Sequence, residues 1–106
     1  IDVFDDGTAP GTPTSWSNPA GTEGTATTYG HWGYTITDAD AGVGDFSTSE
    51  YDGLGTSPVE VMDHNGPVVS GAGNGTSEVG FKMRLSSLQE AGAYTGAMLY
   101  IATPTY

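Results

Sequence analysis

Residues 78–106 read EVGFKMRLSSLQEAGAYTGAMLYIATPTY, and this stretch decides the fold class that we expect for the chain. From position 79 to position 85, apolar side chains alternate with glycine or a cation, which is the period of a β-strand with one buried face. The apolar positions are Val79, Phe81, Met83 and Leu85. We therefore expect this row on the core side of a sheet, with Lys82 facing away from the core.

A second strand is predicted at residues 93–103, after a turn-like segment at 86–92. Both of its faces carry large apolar side chains: Tyr94, Met98 and Tyr100 on one, Leu99 and Ile101 on the other. A strand that is apolar on both faces is typical of the inside of a sheet. The end of the chain thus predicts an all-β protein, an antiparallel β-sandwich.

The composition is strongly acidic, with 13 Asp and Glu against two Lys and Arg and a net charge of -11. Nucleic acids and anionic membrane surfaces are excluded as partners because a protein needs cationic side chains to bind them. No apolar run approaches the roughly 18 residues of a membrane span, so membrane insertion is not expected. The chain has no cysteine, hence no disulfide or thiolate site. We expect an extracellular protein at the cell surface.

The length predicts a single domain over residues 1–106, and the start at Ile1 suggests a mature product or the C-terminal part of a longer protein. Residues 8–28 are rich in Gly, Pro and Thr and predict a long loop. Trp16 is the one large apolar side chain of this loop. Two interpretations stay open: Trp16 pins the loop to the sandwich, or it is presented to a partner.

A further strand is predicted at residues 29–37, and Trp32 is expected at the centre of the core. The alternative is an exposed Trp32 that stacks on a sugar ring. Phe46, Tyr51 and Leu54 are expected to tether an irregular segment to the core. Shorter strands are predicted at residues 1–4, 58–63 and 67–70.

Asp38 and Asp40 have the best metal-ligand spacing in the chain. They alternate as in a Ca²⁺ loop, and the nearby Gly42 permits a sharp turn. The rest of the loop signature does not follow, because Ser49 stands where the signature requires Glu. The two aspartates are candidate Ca²⁺ ligands, and the alternative is a solvated acidic turn.

The pattern of possible catalytic residues indicates no enzyme. His31 and His64 are the two histidines, and neither belongs to a nucleophile, zinc or phosphate motif. We predict no catalytic residues and no cofactor other than the candidate Ca²⁺.

The ending EAGAYTGAMLYIATPTY resembles the terminal strand of two groups of secreted sandwich proteins, the spore-coat-U-like pilins and the WxL-type domains, through its A-G-x-Y-T pattern. Residues 88–94 also resemble the corner of immunoglobulin-like sandwiches, in which a Tyr hydroxyl returns to the backbone a few residues upstream. Segments around residues 29–33, 57–62 and 79–106 resemble uncharacterised secreted proteins of small-genome bacteria. The Trp-x-Leu motif and the pilin disulfide are absent, and the N-terminal donor segment of a pilin is reduced to residues 1–4.

The resemblance implies an Ig-like or pilin-like sandwich, which needs about seven strands. The sequence offers only about five good candidates, so we expect an incomplete sandwich that another chain or segment completes. The expected function is a structural subunit of a surface filament or surface layer, assembled by β-strand addition from copies of itself or from the rest of its parent chain. The alternative is a carbohydrate-binding or adhesive module that binds polysaccharide through Trp16 or Trp32 and is stabilised by Ca²⁺.

Overall fold

A computed structural model of the chain describes residues 2–3, 12–37, 46–47, 49–62 and 77–103. The described residues form five strands and a short 3-10 helix, Ala26–Thr28, and contain no α-helix. The strands are β1 (Asp2–Val3), β2 (Thr14–Ser15), β3 (Gly30–Thr37), β4 (Glu50–Tyr51) and β5 (Glu78–Leu85). The all-β prediction is confirmed at this level.

The main sheet has the strand order β1-β3-β5. Antiparallel pairing joins all eight residues of β3 to β5, from Gly30 opposite Leu85 to Thr37 opposite Glu78. The short β1 adds to the other edge of β3 in parallel. A second, two-stranded sheet pairs β2 with β4. The two long strands lie within one residue of their predicted bounds, because strict alternation marks a strand reliably.

One face of the β3–β5 pair carries the apolar row predicted for the core. Register places Trp32, Tyr34 and Ile36 beside Met83, Phe81 and Val79, since directly opposite residues share a face. The buried hydrophobic side chains of the described residues are Tyr34, 3% exposed, and Ile36. Trp32 is only half-buried, so its predicted place at the centre of the core is wrong.

The β5 half of this apolar row is exposed, contrary to the sequence prediction. Phe81, Met83 and Leu85 are all exposed, Met83 by 57%. Alternation identified the apolar face of β5 correctly, but it carries no information about whether another element covers that face. The described residues do not form the second layer of a sandwich over these three side chains.

The opposite face of the sheet holds Lys82, and here too the prediction is wrong. The Lys82 ammonium lies 4.7 Å from the centre of the Trp16 ring and 4.9 Å from that of Tyr51. Lys82 thus packs against aromatic side chains instead of facing away from the packed interior. The β2–β4 sheet brings both rings there, because Trp16 directly follows β2 and Tyr51 ends β4.

Trp16 pins the described part of the long loop to the main sheet, as the first of the two interpretations predicted. Its ring makes edge contacts with His31, at 4.8 Å between centroids, and with Tyr51, at 5.2 Å. His31 Nε2 also donates a 2.8 Å hydrogen bond to the Ser17 carbonyl. Phe46 likewise packs on Tyr34, with 5.4 Å between the ring centroids. The predicted tethering by Phe46 and Tyr51 is therefore confirmed.

Two predicted strands do not form. Residues 93–103 form no strand and are exposed throughout, and residues 58–62 form none either. The predicted strand at 67–70 lies outside the described residues, and of the predicted strand at 1–4 the described residues 2–3 form β1. Residues 93–103 pair with no strand of the described residues, although their side chains suit a strand. The predicted sandwich is therefore not seen within the described part of the chain.

Within the described ranges, no helix is long and apolar enough to cross a bilayer.

Candidate interaction surface

The outer side of β5 is one of the two edges of the main sheet in the described structure. The hydrogen-bonding phase of β5, meaning which of its residues bond to β3 and which point outward, follows from Tyr34. The N–H and C=O of Tyr34 both bond to Asp52, each at 2.9 Å, on the side of β3 away from β5. Tyr34 and Phe81 are therefore a non-hydrogen-bonded pair. The amide of Ser86, which donates to the Tyr29 carbonyl at 2.8 Å, agrees with this phase.

The phase determines which backbone groups point outward from β5. Since successive residues of an antiparallel strand point their N–H and C=O groups to opposite sides, the groups that face outward belong to alternate residues. These residues are Val79, Phe81, Met83 and Leu85. The residues with exposed apolar side chains thus also present the free main-chain donors and acceptors of the edge. Such an edge favours the addition of another strand.

Residues 91–103 form a second exposed apolar surface, which we call the C-terminal tail. Leu99 is 83% exposed and Ile101 is 70% exposed. Tyr94, Met98 and Tyr100 are also exposed. Contiguous exposed apolar surface of this kind makes the tail a candidate interaction surface. The tail contains no charged residue.

The start of the tail is fixed by the hydrogen bond that the resemblance to immunoglobulin-like corners implied. The Tyr94 hydroxyl donates to the Glu90 carbonyl at 2.6 Å. The same hydroxyl oxygen accepts a hydrogen bond from the Gln89 side-chain amide. The Gln89 side chain in turn lies close to the buried Gly30, since a Cβ on this glycine would be 3.2 Å from Gln89 Oε1. The Gln89 side chain of the corner therefore lies at the β3 side of β5 and not at its outer edge.

The two tryptophans proposed as stacking platforms lie on opposite faces of the main sheet. Trp16 contacts His31 on one face, whereas Trp32, the next residue along β3, faces the other. Lys82 covers the Trp16 ring. This environment fits a structural tether better than a sugar-binding platform. Trp32 lies on the apolar face and is half-buried.

The candidate Ca²⁺ ligands Asp38 and Asp40 lie outside the described residues. Among the residues that are described, no group of three or more His, Cys, Asp or Glu side chains lies close enough to hold a metal.

One described carboxylate, Asp52, is nevertheless buried, at 4% exposure. Its Oδ1 accepts a 2.7 Å hydrogen bond from the Gly53 amide. Burial of Tyr34, followed by the negative charge of Asp52, raises the pKa of the Tyr34 hydroxyl above its ordinary value of 10.0. The backbones of Tyr34 and Asp52 pair with each other where the chain leaves β4 and meets β3.

Sequence reasoning missed two participants in this surface. Lys82 was assigned to the outside, although its position among apolar residues on an edge strand is a signal for packing along its alkyl chain. The backbone of Asp52 pairs with Tyr34 of β3. The partners of Lys82 and Asp52, which are Trp16 and Tyr34, do not follow from local sequence because they belong to other segments of the chain.

No protein-family model, curated protein or solved structure matches this chain.

Proposed function

We propose that this protein is a structural subunit of an extracellular surface filament or surface layer, and that its copies assemble by β-strand addition. The observation that carries the proposal is the outer edge of β5, where outward-facing backbone groups and exposed apolar side chains belong to the same residues. An isolated soluble domain normally protects such an edge with proline, a bulge or outward charge. β5 contains no proline and its Lys82 is packed against Trp16, so the exposed charges of the strand are those of Glu78 and Arg84 near its two ends.

The charge distribution supports association at this strand. Copies with a net charge of -11 repel one another, so a contact needs a surface with little negative charge. Lys82 and Arg84 are the two cations of the chain, and both belong to β5. β5 is thus the strand on which a second acidic copy meets the least repulsion.

The test is electron microscopy of the purified full chain together with sedimentation velocity over a range of concentrations. Filaments or sheets with the subunit repeat of one chain support the proposal. A single monomeric species at every concentration contradicts it.

The carbohydrate-binding alternative rests on the half-buried Trp32 and is distinguished by tryptophan fluorescence. A polysaccharide that binds at Trp32 changes the emission of the native chain and has no such effect on Trp32→Phe. Ca²⁺ at Asp38 and Asp40 stays a prediction from the sequence. An unchanged melting temperature in the presence of a chelator excludes a stabilising role for Ca²⁺.

A further inference from the structure

We infer that the C-terminal tail of one copy, residues 91–103, is the strand that adds to the outer edge of β5 of a second copy. This assignment rests on the proposed strand-addition function and goes beyond it, because it names both the donor and the acceptor. It commits to a second copy of this chain as the occupant of the edge.

The tail has the properties of a donor strand. It is apolar on both faces and therefore suits a position between two covered sides, yet in the single chain its side chains are exposed. Fully extended, residues 93–103 reach about 36 Å, and the eight residues of β5 span about 26 Å. One tail is long enough to pair with the whole edge.

The chemistry of the two surfaces is complementary. Addition of the tail to the edge satisfies the outward backbone groups of β5 by main-chain hydrogen bonds, which supply affinity in strand addition. On the added strand, alternate apolar side chains of the tail lie beside Phe81, Met83 and Leu85. These three side chains are exposed in the single chain. The uncharged tail approaches the strand that carries both cations, so the contact adds no charge repulsion of its own.

The position of the corner at residues 86–94 favours pairing of the tail with another copy over pairing with its own β5. The Ser86 amide donates to the Tyr29 carbonyl, just before β3 begins, and the Gln89 side chain lies beside Gly30 of β3. The Tyr94–Glu90 hydrogen bond holds this corner. Return of the tail to its own β5 edge would require this corner to open. Because donor and acceptor are different surfaces, the contact between copies is heterologous, and its repetition produces an open filament.

The test uses two full-length variants with opposite defects. Leu99→Asp with Ile101→Asp places two charges on the tail at positions that are exposed in the single chain, so the domain should still fold. Met83→Pro removes an outward-facing N–H, a place where an edge strand tolerates proline. Each variant has a matched control. Thr56→Asp with Ser57→Asp adds the same charge to an exposed loop and is the control for the tail variant. Met83→Ala removes the side chain but keeps the N–H and is the control for Met83→Pro.

We expect wild type and the loop variant to assemble. The tail variant should associate at least about a hundredfold more weakly, since two apolar side chains lose their burial. Met83→Pro should block assembly more strongly than Met83→Ala. Circular dichroism and tryptophan fluorescence verify that each variant is folded. If Met83→Pro fails this check, the tail variant and its loop control decide alone.

Mixing the two variants gives the sharpest readout, because one retains an intact edge and the other an intact tail. Their mixture should form dimers and nothing larger in sedimentation velocity. Persistent monomers in that mixture overturn the assignment to a second copy. If the tail variant alone still forms filaments, the donor assignment fails while the strand-addition function stands. If wild type never assembles, the proposed function itself fails.

Discussion

The hydroxyl of Tyr94 donates a 2.6 Å hydrogen bond to the carbonyl oxygen of Glu90 and so fixes the first part of a tail whose remaining side chains are exposed. The bond closes a corner of the kind found in immunoglobulin-like sandwiches. In such sandwiches the corner leads directly into a paired strand. Here it leads into residues that have no strand partner in the described structure.

Tyr94→Phe should destabilise the corner while it preserves the ring. The loss of one hydrogen bond is expected to lower the free energy of unfolding by about 1 kcal/mol. Urea unfolding at low protein concentration measures this change. Tyr100→Phe removes a hydroxyl from the exposed tail and should change stability by less than about 0.5 kcal/mol. Equal effects of the two substitutions would contradict a structural role for the Tyr94 bond.

The contact of Lys82 with Trp16 should appear as a coupling energy. A double-mutant cycle with Lys82→Met and Trp16→Leu is expected to give about 0.5–1 kcal/mol, the range of partly exposed cation–π pairs. Thermal or urea unfolding of the four proteins provides the measurement. The cycle between Arg84→Met and Trp16→Leu serves as the control and should give a coupling near zero. A vanishing coupling for Lys82 would rule out the cation–π contact.

Tyr34 should make the fold sensitive to alkaline pH. Because burial and Asp52 raise the pKa of Tyr34 in the folded chain, the folded state holds this proton more tightly than the unfolded state. The stabilisation is complete below the unfolded pKa of about 10 and is lost as pH rises through the folded value. Melting temperatures above pH 10 should therefore fall less steeply for Tyr34→Phe than for wild type. Tyr100→Phe should retain the wild-type slope, and a shared slope for all three proteins would count against the assignment.

Gly21 and Gly24 form a matched pair for measuring a loop contact. Both have positive φ, +65° and +81°, so an alanine at either position costs about 1–2 kcal/mol in backbone strain. At Gly21 the new Cβ would also lie 3.0 Å from Ser86 Cβ, whereas nothing lies within 4 Å at Gly24. Gly21→Ala should therefore destabilise more than Gly24→Ala in urea unfolding. The reverse order would show that residues 21–28 do not pack against the corner.

Assembly should depend on salt in the direction set by the net charge. Copies that each carry a charge of -11 repel at long range, and salt screens this repulsion. Light scattering should therefore show faster assembly of the full chain as sodium chloride rises from low concentration. Slower assembly in salt would indicate that ion pairs, instead of an apolar strand contact, hold the copies together.

Local pattern was sufficient for several features of this fold. Alternation located β3 and β5, and the resemblance of residues 88–94 to an immunoglobulin-like corner implied a hydroxyl bond that is present. For the lone Trp16 of a polar loop the sequence left two interpretations open, of which the tether agrees with the drive of a large apolar side chain to leave water. These features depend on neighbours in sequence or on the hydrophobicity of one residue.

The sequence by itself therefore determined an all-β chain, the positions of its two long strands and an apolar, uncharged tail. Only the tertiary structure decided that Lys82 packs on Trp16, that the Phe81–Met83–Leu85 row is open, and that residues 93–103 do not pair within the described part of the chain. The physical reason is that alternation distinguishes the two faces of a strand but does not determine which one is covered. Coverage depends on where distant segments such as β2 and β4 come to lie, and pairing requires a free edge within reach.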